Sequence, residues 1–108
     1  MSTQRRVHDA LEIIDTTLTK NDPRLKERIE LEFINARVAQ LIYDARTKAS
    51  LSQAQLAKRI GTSQPVIARL EDADYRGHSL SMLQRIATAL GKSIELRLVP
   101  EVKRRRAA

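Results

Sequence analysis

A chain of 108 residues with 42% apolar content has room for one small core plus an appendage, and its three aromatics (Phe33, Tyr43, Tyr75) leave that core to Leu, Ile, Val and Ala. The absence of cysteine excludes a disulfide framework and any thiolate metal site, and it suits a reducing cytoplasm. The net charge of +7 is lopsided: residues 1–50 hold nine Lys/Arg against eight Asp/Glu, while residues 51–108 hold eleven against five, so the second half is the natural face for a polyanion such as nucleic acid.

The elements follow in chain order. Residues 4–20 predict a first amphipathic helix, with Val7, Leu11, Ile14 and Leu18 spaced by four, three and four on one stripe. Asp9, Glu12 and Asp15 lie off that stripe and interrupt anything resembling a signal peptide after Arg5 and Arg6. Asn21-Asp22-Pro23 then breaks the chain. Asp22 is a good N-cap and Pro23 suits a first helical position, so a second helix is expected over residues 23–48. Its apolar residues Leu25, Ile29, Phe33, Ile34, Val38, Leu41, Ile42 and Ala45 follow the helical period. At ~1.5 Å per residue it is longer than a small domain needs to cover its core.

Ser52 is expected to cap a third helix with Leu56, Ala57 and Ile60 inward, and Gly61 to end it. Ser63 is expected to cap a fourth, with Ile67 and Leu70 facing in. A polar loop over residues 72–79 leads to a fifth helix from Ser79 or Leu80, which Gly91 stops. The period then changes. Ile94, Leu96 and Leu98 alternate with their neighbours in strand fashion up to Pro100. One strand cannot satisfy its own backbone, so the same strand of a second copy is its simplest partner. Residues 101–108 are a basic tail. No apolar run approaches the ~18 residues of a membrane helix, and a cytoplasmic protein without a membrane partner is expected.

A helix, a tight turn at Gly61 and a second helix, with small Ala57 where the two approach, is the helix-turn-helix layout. The stretch LSQAQLAKRIGTSQPVIARLED, residues 51–72, resembles the Cro/repressor (XRE-type) DNA-binding family, and the likeness extends over about residues 37–91. That resemblance implies an all-α fold: a five-helix repressor-type domain with an N-terminal helical extension and one C-terminal strand pairing across a dimer. In these terms residues 1–22 are a partner-binding segment, 23–92 the helix-turn-helix domain, 93–100 the dimerisation strand (Ile94, Leu96, Leu98) and 101–108 the tail.

The residues expected to meet operator DNA are Gln53, Ser63, Gln64, Val66, Arg69, Arg76 and Ser79. Gln53 opens the third helix, where free N–H groups can meet a phosphate. Gln64, in the first turn of the fourth, can pair its amide with adenine N6/N7, and Val66 can touch a thymine methyl. Arg69 can reach guanine or a phosphate, or serve only as a surface ion pair. Arg76 and Ser79 suit the phosphate backbone, whereas His78 reads as loop decoration. Pro65 stands where many relatives carry a base-reading polar side chain, which leaves fewer direct contacts and more weight on DNA shape. The family also implies an ion pair between Arg46 and Glu71.

No paired carboxylates, phosphate loop or Cys/His constellation supports catalysis, so no enzyme, metal or cofactor is expected. The layout, with phrases such as LGKSIELRLVP, further resembles the HigA-like antitoxins. That likeness implies an autorepressor whose added segment neutralises a RelE/HigB-like ribonuclease toxin through Val7, Leu11, Ile14 and Leu18. Two alternatives stand beside it: a plain repressor of the same family, and a pure inhibitor with a vestigial DNA surface.

Overall fold

The computed structural model describes residues 22–100, and among them the architecture is all-α, with four helices and no strand. They are α1 (Pro23–Lys48), α2 (Gln53–Ile60), α3 (Gln64–Leu70) and α4 (Leu80–Ala89). The helix expected over residues 4–20, with Val7, Leu11, Ile14 and Leu18, lies outside the described residues. Chain contacts divide the protein into a compact unit, Asn35–Leu96, and a second unit to which the described residues 22–34 and 97–100 belong.

In the second unit Asp22 starts α1 as its sequence implies. Its carboxylate accepts from the Leu25 N–H at 3.0 Å, and Pro23 follows at the first helical position. A Lys26–Glu30 pair at 3.8 Å lies one turn apart on the same helix.

The unit Asn35–Leu96 is built around Ile42, Leu56, Ala57, Ile60, Ile67, Leu70 and Ile86, with Leu56 and Ile67 fully enclosed. Burying such aliphatic side chains contributes ~1.5–3 kcal/mol each, which drives the helices together. Ser52 caps α2 through a reciprocal pair: its hydroxyl accepts from Gln55 N at 3.0 Å, and Gln55 Oε1 accepts from Ser52 N at 2.7 Å. Gly61 closes α2 in the left-handed region at φ 73, which a residue with a Cβ enters only at a cost. The Arg85 guanidinium, from α4, donates to the Ile60 carbonyl at that same end. Ser79 caps α4, accepting from Met82 N at 3.1 Å.

Two expectations need correction, and the strand expected to pair across a dimer is not formed by the single chain. Ser63 has N-cap backbone geometry, but its side chain makes no capping bond: the Val66 N–H, counterpart of the Gln55 and Met82 donors at the other two caps, goes to the Ser63 carbonyl at 3.1 Å, and the hydroxyl stays exposed. Ile34 and Leu41 match the helical period yet are about half exposed, because the inward face of α1 runs through Ala39, Ile42 and Arg46 instead. Residues 92–100 form no strand within the chain: Leu96 is 70% exposed and Leu98 fully so, with Ile94 half-buried. Alternation marks a segment able to pair, and among the described residues there is no strand for it to pair with.

Candidate nucleic-acid interface

α2 and α3 pack against each other across the Gly61-Thr62-Ser63 turn, and α2 also packs against α4. Ile67 and Leu70 lock one side of α3 into the core, while Gln64, Pro65 and Arg69 on the other side are exposed. Val66 lies between, half-buried and packed against the core, so only part of it is open to a ligand.

Behind this surface lies the buried pair of Arg46 on α1 and Glu71 at the end of α3. The contact is two-pronged, Nε to Oε2 at 2.6 Å and Nη2 to Oε1 at 2.9 Å, and Arg46 Nη1 also donates to the Leu51 carbonyl at 2.7 Å. The hydrogen bond to Glu71 outweighs burial and holds the Arg46 guanidinium above its ordinary pKa, so it stays charged. Its remaining face lies over the Tyr43 ring at 5.3 Å.

The pair reaches the surface through two glutamines. Gln53, the first residue of α2, donates its amide to Glu71 Oε1 at 3.1 Å. Its own oxygen accepts from Gln64 Nε2 at 2.6 Å. Gln53 is thus a half-buried link between the α3 side chain that faces outward and the ion pair beneath it. Each amide keeps hydrogen-bonding capacity beyond these contacts.

Arg76 and Ser79 lie on the exposed loop after α3, and the Ser79 oxygen is engaged as the α4 cap. His78 is not decoration. Its Nε2 donates to the Leu70 carbonyl at 2.7 Å, and its ring meets Tyr75 edge-on at 5.1 Å, so it ties the loop to the last turn of α3. Gly77 belongs to the same arrangement, because a Cβ there would run into the Tyr75 ring. In the sequence, the only hint of this clasp was a small residue beside two rings.

Among the described residues no group of three or more His, Asp or Glu could hold a metal ion. No helix among them is long and apolar enough to cross a membrane.

A Gly-hinged helix pair with a core-locked second helix and a polar outer face defines a helix-turn-helix DNA-binding domain, a non-catalytic class of the kind found in transcriptional regulators. Residues 42–96 match the helix-turn-helix family model HTH_3, the XRE/Cro type, and the chain belongs to that family. Neither a curated protein nor a solved structure matches the chain.

Proposed function

We propose that the protein is a transcriptional repressor that binds a two-fold symmetric double-stranded operator as a homodimer, with α3 in the major groove. The observation that carries this reading is the presentation of Gln64. Its amide is held by Gln53 on the exposed side of a helix whose other side is fixed in the core. In this role Gln64 pairs with adenine, the open part of Val66 touches a thymine methyl, and Arg69 reaches guanine or a phosphate. Gln53, the uncapped hydroxyl of Ser63, Arg76 and Ser79 meet the backbone and set the register. Ile94, Leu96 and Leu98 join two copies by antiparallel pairing, a role supported by the exposure of Leu96 and Leu98.

The test is a gel-shift titration. Gln64→Ala should cost roughly 1–3 kcal/mol on the preferred site and relax specificity there, whereas Gln53→Ala should also weaken binding to unrelated sequences. If neither substitution changes operator affinity, the surface is assigned wrongly.

A finer reading makes this repressor the antitoxin of a two-gene operon, with residues 1–22 engaging a RelE/HigB-like toxin. It is supported by the apolar stripe of those residues and by a helix-turn-helix unit that begins only at Asn35. The alternative is a plain repressor of the same family. Co-purification with the product of the neighbouring reading frame separates the two.

A further inference from the structure

α3 turns one residue squarely away from the core, and the side chain of that residue can neither donate nor accept a hydrogen bond. At ~3.6 residues per turn, Pro65 lies about 170° around the helix from the mean direction of the buried Ile67 and Leu70. It is exposed, and its neighbours on the outward side are the half-buried Ala68 and the exposed Arg69. Gln64 and Val66 stand about 100° to either side of it. The centre of the outer face is therefore the Pro65 ring beside the Ala68 methyl, with the polar groups of Gln64 and Arg69 at its flanks. Pro65 also sits in the first turn of α3, where backbone N–H groups are free, and it withdraws the one at its own position. Residue 65 thus offers a base no donor from side chain or backbone. Its ring is rigid, so contact costs it no rotamer freedom.

We infer that Pro65, backed by Ala68, is a specificity residue for a C5-methyl group: at one position of each half-site the protein accepts thymine or 5-methylcytosine and discriminates against cytosine that lacks the methyl. On the major-groove edge, cytosine N4, adenine N6 and guanine O6 and N7 are polar. A hydrocarbon pressed against them removes their water and returns no hydrogen bond. The C5-methyl group of thymine is the one apolar marker on that edge, so it meets the ring without such a loss. 5-Methylcytosine carries the same group on the same ring carbon. Methylation of a cytosine in the operator then becomes a signal that this surface can read, with tighter binding as its consequence.

The inference rests on the reading that α3 enters the major groove, and the test separates the two. The 108-residue chain is first used to select a site from randomised double-stranded DNA at one salt concentration. In the selected site each thymine is replaced in turn by deoxyuridine, which lacks only the methyl. Each is also replaced by cytosine and by 5-methylcytosine, with guanine opposite. Fluorescence anisotropy titrations then measure affinity. At one thymine per half-site, deoxyuridine should weaken binding about fourfold, the worth of one buried methyl group. At the same position 5-methylcytosine should bind more tightly than cytosine by a similar factor. Both differences should vanish in Pro65→Gln and persist in Val66→Ala, with thermal melting confirming that each variant is folded. Deoxyuridine scanning uses the wild type, so a flat result there counts whatever the variants do. Insensitivity to deoxyuridine at every position, or a methyl preference unchanged in folded Pro65→Gln, overturns the inference while sequence-specific binding stands. Failure to select any sequence would instead remove the reading of α3 in the groove, and this inference with it.

Discussion

Replacing Glu71 by alanine probes both the architecture and the surface built on it. The side chains of Arg46 and Glu71 are only 9% and 4% exposed, so solvent screens the pair weakly. Without Glu71, Arg46 keeps its bond to the Leu51 carbonyl but loses both donations to the carboxylate, leaving a charged group enclosed and short of partners. Removing one member of such a pair costs about 3–5 kcal/mol. A unit the size of Asn35–Leu96 has a total stability of roughly 3–9 kcal/mol, so the variant should sit near its unfolding threshold. At ~4–8 °C per kcal/mol for small domains, the melting temperature should fall by at least about 12 °C. Arg46→Met combined with Glu71→Leu should recover much of the loss, since no buried charge then lacks a partner.

The sign with pH is also set. Folding raises the Arg46 pKa above its ordinary value, so the arginine's share of stability is complete below that ordinary value and is lost only as pH climbs through the higher folded one. Circular dichroism melts and urea titrations measure these differences. A loss below about 1 kcal/mol in Glu71→Ala would mean that the pair behaves as a surface contact, and the argument from burial would fail.

Three further outcomes are expected. Gly61→Ala should cost about 1–2 kcal/mol from the left-handed backbone alone, because a Cβ there meets Arg85 only at an ordinary 3.7 Å; Gly61→Asn should cost less, and equal melting temperatures for all three would refute the strain. Leu96→Pro should convert a dimer to monomer by light scattering and weaken operator binding, and a wild-type monomer at micromolar concentrations would dispose of pairing through residues 93–99. On the antitoxin reading proposed above, deleting residues 1–21 should leave melting and DNA binding nearly intact while abolishing or greatly weakening inhibition of a RelE/HigB-like toxin; a large drop in melting temperature with inhibition preserved would make the segment part of the core instead.

The helix boundaries were legible from the sequence because the signals that set them are local. Asp22 before Pro23, Ser52 three residues before Gln55, Gly61 after Ile60 and Ser79 before Leu80 each act within one turn of chain. The inward positions Leu56, Ile60, Ile67 and Leu70 were equally plain, since short helices flanking a tight turn leave little choice of buried side. The same spacing could not tell that Ile34 and Leu41 are left half exposed, because the inward side of a long helix depends on which neighbours reach it. Nor could it tell that Ser63 declines its cap, that His78 fastens a loop to α3, or that Gln53 bridges a buried carboxylate to Gln64. Glu71 is 18 residues from Gln53 and Gln64 is 11, so those bonds exist only once α2 and α3 have packed. The sequence by itself determined the four helices of the described residues, the turn and the family; tertiary structure decided which polar atoms meet, because a hydrogen bond between distant residues is a property of packing and not of local chain order.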